Sequence, residues 1–477
     1  MFRCGRSRSH LICKIFFSIS AAFPLVYVLC APEARAIPYF ARKYETSCST
    51  CHRTFPELND FGEVFKKNGW KFPKDDDTYV KQPPVLLGAP AQRQAFPKVI
   101  YPGEIPGTIP ISFRYSGSLQ YQSTPPLASG FSPRTDLFAP NTFTGIAAGS
   151  FGDAFSFWID DDISAGGSGA NGGLGDGYLR ANDLGKYIGL PAHAVNLRVG
   201  QFELDLPFSQ ARSIHPTTYD VYGQASDAIS LGTTNNPFVF GENQRGFELG
   251  GYADNWNFAW SVAAINGSGP NPPNRNFKDV YIRVSQKFNL ERDSAARKEV
   301  QAAGPSGPRD HTSIRLDGFY YYGRNALNLD RSISGFGTIH EPFYRVGGAA
   351  RFKYRNLELY GLLMYGRDQN LLPQEDTGAL LHGSPVTFTG GFATAQYWIY
   401  PWIVGIMRYD AVNSPTDFLN GLYRFNTRNR YSPGLQILAR DNIKMFFEYQ
   451  YSWEVPTGTG GLFFRPSGFQ AGIDYVF

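Results

Sequence analysis

The chain is poor in the features that hold many exported proteins together. Of five cysteines in 477 residues, three lie within the first 30 positions, and there are four methionines and seven histidines. Residues 1–36 read as a secretion signal. Arg3, Arg6, Arg8 and Lys14 form a basic start, Ile15 to Cys30 is mostly apolar, and Ala34-Arg35-Ala36 gives a small-x-small cleavage site. Cleavage there leaves only Cys48 and Cys51, which excludes a disulfide scaffold. It also leaves 40 basic and 40 acidic residues. The formal charge of +4 therefore belongs to the signal, and nothing points to nucleic acid as a partner. After the signal, no apolar run approaches the roughly 18 residues of a membrane helix.

What is present is organised around Cys48-Ser49-Thr50-Cys51-His52. This is C-x-x-C-H, the attachment pattern of one covalent haem c. The two thiols add across the haem vinyl groups, and the adjacent imidazole is the proximal iron ligand. A thioredoxin-like dithiol and half of a zinc site are the competing readings. Zinc needs further Cys or His ligands, and the neighbouring chain has none.

The motif lies in a small unit, residues 37–81, that reads as a monohaem cytochrome. Within it the spacing predicts a short helix over 55–69, with Pro56 near its start and Gly69 at its stop. Leu58, Phe61 and Phe65 recur at helical spacing and are candidates to pack on one face of the porphyrin; closing a small core is the bland reading of the same pattern. Some 45 residues cannot enclose a haem alone, so the unit should lean on something larger. Residues 82–107 are proline-rich and read as an extended linker or plug.

From residue 108 to 477 the pattern has period two. Ile111, Phe113 and Tyr115 alternate with Ser112, Arg114 and Ser116, and fifteen similar runs follow. Glycine is frequent (51) and aromatics reach 16 %. Long odd-numbered connections, such as 204–244, alternate with tight even ones at 254–255, 356, 401 and 441–442; one even connection, 289–310, is long and polar. Short turns on one side and long loops on the other are the mark of an outer-membrane barrel. The expected fold is all-β: an antiparallel transmembrane barrel of about 16 strands carrying a small N-terminal α-helical haem unit. Aromatics near strand ends, among them Trp398, Tyr400 and Trp402, read as interfacial girdles, and the chain closes on an alternating strand ending at Phe477. On strand 343–355, Arg345, Arg351, Lys353 and Arg355 share the face that should look inward. With Lys287, Arg440 and Lys444 they predict a basic collar at the periplasmic end, to dock haem propionates or Glu57, Asp60 and Glu63. Ordinary lumen polarity is the competing account.

The sixth iron ligand has no source within the unit, because 37–108 contains no Met and no His besides His52. Met407 and Met445 lie on lipid-facing parities, whereas His193, His311, His340 and His382 sit near turns. Met364, on an inward parity, and His215, in the connection 204–244 that is long enough to fold into the pore, are the remaining candidates; an open site is the alternative.

Taken together, Ile37-Pro38-Tyr39-Phe40-Ala41-Arg42, the haem motif, Leu58-Asn59-Asp60-Phe61-Gly62 and the following sixteen-strand segment resemble the fused monohaem cytochrome–porin family of bacterial outer membranes. The best-known members of that family are iron-oxidising cytochromes. The resemblance covers essentially the whole mature chain. It implies residence in the outer membrane of a Gram-negative bacterium and contact with its lipid. It also implies electron exchange between an external partner, Fe(II) among them, and a periplasmic carrier such as a soluble cytochrome c. An Fe(II):cytochrome oxidoreductase activity would follow if Fe(II) is the donor. An outward metal-reducing conduit and an anion-selective porin with a haem-bearing redox plug are the alternatives.

Overall fold

The computed structural model describes residues 38–477 apart from 87–89, 99–103, 124–132, 166–171, 228–239, 271–275, 291–311, 329–337, 370, 374–379, 383–384, 414–416, 420–421, 425–427 and 454–466. The signal at 1–36, His311 and most of the long even connection 289–310 therefore lie outside the described residues.

Sixteen antiparallel strands, each paired with its sequence neighbours, close into a barrel. They are β1 (Ile111–Gln122), β2 (Arg134–Phe151), β3 (Phe155–Ala165), β4 (Leu174–Ala181), β5 (Asn196–Glu203), β6 (Asn243–Ala253), β7 (Phe258–Ile265) and β8 (Asp279–Asn289). The second half comprises β9 (Ser313–Asn328), β10 (Thr338–Tyr354), β11 (Leu357–Asp368), β12 (Val386–Tyr400), β13 (Ile403–Asn413), β14 (Arg428–Arg440), β15 (Ile443–Trp453) and β16 (Gly468–Val476). Closure is made by β16 on β1, from Gly468 opposite Gln122 to Val476 opposite Arg114. Phe477 and Phe113 then exchange backbone hydrogen bonds of 2.7 and 2.8 Å.

Side-chain parity does the sorting. Along β11, Glu358, Tyr360, Leu362 and Met364 are buried in the lumen, and Leu359, Leu363 and Tyr365 face outward. Charge follows the same rule: Arg283, Asp317, Arg345, Arg408, Asp410, Arg430 and Glu448 are all inside and buried. Lipid cannot solvate a charge or an open sheet edge, so a closed ladder with polar groups inward is the form that spans a membrane. The basic set on β10 divides unexpectedly along the strand. Arg345 pairs with Asp368 at 3.0 Å, Arg351 and Lys353 face the lumen at the short-turn end, and Arg355 is exposed in the turn. Arg440 is also exposed and does not join the collar.

The lumen is filled from both ends. From the long-loop end, the described part of the β5–β6 connection (204–227 and 240–242) folds inward and carries a short helix (Asp220–Asp227). Its Leu204, Phe208, Tyr219, Val221, Tyr222 and Phe240 pack on inward Tyr281, Phe319, Tyr321, Tyr360 and Phe392. From the short-turn end, which faces the periplasm in this class of barrel, the N-terminal unit enters. The even β4–β5 connection is longer than expected, because a 3-10 turn at Leu184–Ile188 interrupts it.

A charge placed on the outer face should be costly where one on the inner face is not. Leu363 is 71 % exposed in the middle of β11. Leu363→Arg is expected to destabilise the barrel by about 2–4 kcal/mol in lipid, read by urea titration of refolding into vesicles. A wild-type folding midpoint would place this face away from lipid.

Candidate functional site

The cysteine motif is folded by its own backbone and then fixed by one asparagine. Cys48–Thr50 form a 3-10 turn closed by Cys51 N–H donating to the Cys48 carbonyl at 3.1 Å. His52–Thr54 pairs with Glu57–Leu58, which removes residues 55–58 from the expected helix. The helix begins instead at Asp60 and runs to Lys67. Asn59 is its cap, accepting from Gly62 N–H at 2.8 Å, as short polar side chains do at helix starts. The same side chain donates to the carbonyls of Ser49 (3.1 Å) and Thr50 (3.0 Å), so it ties the helix to the motif. Gly62 packs directly against the Cys51 carbonyl, where a Cβ would collide. Gly69, at φ 70°, ends the helix as expected.

Cys48, Cys51 and His52 line a cavity of about 390 Å³. Its apolar wall includes Tyr39, Phe40, Leu58, Phe65 and Trp70 from the unit and Ile146, Trp158 and Val476 from the barrel. Its polar wall includes Arg114, Asp160, Asp162 and Arg212. Leu58 and Phe65 thus line the same cavity as the cysteines. Phe61 does not; it packs edge-on against Phe72 at 5.1 Å inside the unit's own aromatic core.

The chemistry of the donor set separates the three readings of C-x-x-C-H. Burial pushes the Cys48 thiol up to about 11 and the Cys51 thiol up to about 12. Reactive redox dithiols have lowered values, so these are not poised as one. No group of three or more His, Cys, Asp or Glu able to hold a metal occurs among the described residues. Burial lowers the His52 imidazole to about 4, keeping it neutral. His52 Nδ1 lies 3.2 Å from the Pro56 carbonyl oxygen. A proton on Nδ1 donated there leaves the Nε2 lone pair for a metal. Two free thiols, a neutral oriented imidazole and a largely apolar cavity fit a haem.

Neither distal candidate reaches this cavity. Met364 faces the lumen as expected, but at 1 % exposure it belongs to the aromatic core around the inward loop. His215 also lies in the pore, where its Nδ1 sits 3.3 Å from Glu448 on β15. Among the described residues, the cavity lining holds no Met and no second His.

The unit is held by ion pairs and hydrogen bonds to the short-turn end. Asp60 sits between Lys287 (2.6 Å) and Lys353 (3.2 Å), Glu57 lies 3.9 Å from Arg351, and Lys444 Nζ donates to the Phe55 carbonyl at 2.8 Å. The collar expected from the sequence thus meets Glu57 and Asp60, whereas Glu63 makes no close pair with it and lines a neighbouring chamber. Sequence reasoning missed two contacts. Arg53 pairs with Glu358 at 3.1 Å and lies 3.6 Å above the Trp398 ring. Trp398 itself points inward and donates to Thr54 Oγ1 at 3.1 Å, so it is a docking residue and not part of a girdle. Period-two parity from Gln396 could have shown this. Tyr400 and Trp402 do face outward, stacked at 5.7 Å.

A closed sixteen-strand ladder with an apolar exterior and a charged interior defines this protein as a porin-like β-barrel of the outer membrane. Among solved structures it is similar to an anion-selective porin from Comamonas acidovorans, with 11% sequence identity over 77% of this chain and 98% of that one and a TM-score of 0.49. It is also similar to the outer membrane channel DcaP of Acinetobacter baumannii (11% identity, 77% and 96% covered, TM-score 0.48). A loop-deleted OmpT of Vibrio cholerae gives 11% identity, 77% and 98% coverage and a TM-score of 0.45. No protein-family model and no curated relative matches the chain.

Asp60 supplies the test of docking. Burial alone would raise its carboxyl, but Lys353 and Lys287 outweigh it and hold it well below the usual carboxylate range. A depressed folded value adds stability that is fully present above the unfolded value of about 4 and lost as pH falls through the folded one. Asp60→Asn is expected to cost about 1.5–3 kcal/mol of docking at neutral pH, since it removes the carboxylate shared by buried Lys353 and half-buried Lys287. Limited proteolysis of the N-terminal unit at pH 7 and at decreasing pH measures this. Equal protection of mutant and wild type at both would remove Asp60 from the docking account.

Proposed function

We propose that the protein is an electron conduit of the Gram-negative outer membrane. Cys48 and Cys51 would hold a single haem c and His52 would ligate its iron, for electron exchange between a partner outside the cell and a periplasmic carrier such as a soluble cytochrome c. When bound, the haem supplies a one-electron Fe(II)/Fe(III) couple. The family resemblance supplies aqueous Fe(II) as the external donor, with electrons moving inward. The observation that carries the reading is one cavity shared by three parties: the cysteine motif, the inner wall of the barrel, and the inward loop through Ala211 and Arg212. That loop starts and ends on the extracellular side, so a single connection links the outside to the attachment site.

The residues of the chain each have a part. The turn Cys48–Thr50 presents both thiols to the cavity, Pro56 orients His52, and Leu58, Phe65 and Trp70 exclude water. Asn59 and Gly62 keep the helix pressed on the motif. The second reading, an anion-selective porin with a haem-bearing plug, draws on the inward arginines. Those of the wall are engaged, however: Arg283 with Asp317, Arg345 with Asp368, and Arg408 with Asp410.

Purified protein should show a covalent c-type haem spectrum that Cys48→Ala/Cys51→Ala abolishes. Aqueous Fe(II) should reduce the oxidised form, and failure to do so at any pH from acid to neutral would sink iron oxidation. A large anion-selective current from the intact protein in planar bilayers would favour the porin instead. Because neither side chain reaches the cavity, His215→Ala and Met364→Ala are expected to leave the haem spectrum unchanged, whereas His52→Ala alters it.

A further inference from the structure

The outer face of β8–β11 changes character toward the extracellular rim. Lower on these strands the outward residues are apolar, with Val284, Leu316 and Leu363 all exposed. Above them come the rings of Tyr320, Tyr322, Tyr344 and Tyr365, on three neighbouring strands. Tyr344 lies 6.3 Å from Tyr320 and 6.1 Å from Tyr365. Three exposed cations complete the series beside and beyond the upper rings: Lys278 just ahead of β8, Arg324 on β9 and Arg367 on β11.

Depth and sign both set this sector apart. A membrane-spanning strand crosses the hydrocarbon in about 9–11 residues. Lys278, Arg324 and Arg367 each lie ten or eleven residues from the short-turn ends of their strands, at Asn289, Ser313 and Leu357. All three therefore stand where the wall passes from hydrocarbon to headgroups, on its lipid side. Every acidic residue of β8–β11 is buried in the lumen, namely Asp279, Asp317, Glu341, Glu358 and Asp368. Outside, no carboxylate among the described residues pairs with these cations. Arg324 donates to Tyr322 Oη at 3.2 Å and lies 4.6 Å above the Phe277 ring. Lys278 donates to the neutral Asn266 Oδ1 at 2.7 Å. Exposed cations of one sign at headgroup depth attract anionic lipid, and aromatic rings settle at the same level.

We propose that this sector binds the phosphorylated glycolipid of the outer leaflet. Its phosphates meet Lys278, Arg324 and Arg367, and its acyl chains lie on the apolar surface below the tyrosines. Each cation can meet a phosphate of its own, so no shared anion is required. A free ion would engage the cations and leave the rings and the apolar surface unused, whereas an amphiphile fits the whole gradient. Such a contact needs the barrel alone and is independent of what the cysteine motif holds.

The test adds diphosphoryl lipid A to the full-length protein folded in a non-ionic detergent and counts bound lipid by native mass spectrometry. Wild type should take up the lipid saturably. Lys278→Gln, Arg324→Gln and Arg367→Gln should each weaken binding about fivefold, the worth of one Lys or Arg beside an anionic lipid surface, and the triple variant about a hundredfold. Lys186→Gln, on the short-turn side, should bind as wild type does. Heat-modifiable gel migration confirms that each variant has a closed barrel. Equal binding by wild type and triple variant, or equal binding of diphosphoryl and dephosphorylated lipid A, overturns the proposal. Phosphatidylglycerol bound as tightly would overturn the glycolipid in favour of any anionic lipid, and inorganic phosphate competing as well as the lipid would overturn it in favour of a free ion.

Discussion

A backbone amide in hydrocarbon has no water to turn to. Each unpaired group there costs several kcal/mol, so the ladder must close on itself. The rest of this molecule depends on that constraint. Closure of β16 on β1 removes both sheet edges, and alternation then sends every second residue inward, whether or not there is anything inside to receive it. A sixteen-strand circumference leaves a wide interior. Here the interior receives Arg345, Arg408, Arg430, Asp410 and Glu448, which could not face lipid. They are neutralised in pairs and by loop backbone; Arg408 and Arg430, for example, both donate to the Thr218 carbonyl. The inward loop is therefore as much a counterion and solvent for the wall as an obstruction of the pore.

The same logic explains how a unit this small can stand. Its aromatic core is five buried rings, Tyr44, Phe61, Phe65, Trp70 and Phe72. That is too little to offset the conformational entropy of ordering the segment. The barrel supplies the remaining wall, through Trp158, tilted against Trp70 at 4.8 Å, and through the lysine clamp on Asp60. Neither half of the cysteine-lined cavity exists without the other.

The barrel was legible because its signals are local and repeated. Parity, turn length and the terminal aromatic strand each recur or stand alone in the sequence, and strand positions such as 357–367 fall within a residue or two of Leu357–Asp368. The motif was legible because its chemistry is contiguous. The helix start was misplaced because a weak signal, Pro56, masked a stronger one: the Asn59 side chain capping Gly62 N–H. The distal candidates lie away from the cysteine-lined cavity for a different reason. Parity puts Met364 on the lumen side but does not give its height along the wall, and loop length puts His215 in the pore but does not give its depth. Trp398 shows the converse, since residue type suggested an interface where alternation already placed it inside.

The unit's attachments also impose an order of events. Ser49 donates to Asp441, 392 positions away, Lys444 reaches Phe55 across 389, and Lys353 reaches Asp60 across 293. The first two bonds cannot form until nearly the whole chain has been delivered, and the third not before residue 353. The unit therefore emerges ahead of the strands that seat it. Through the whole of barrel assembly its two thiols remain within reach of the periplasm, and docking then seals them in.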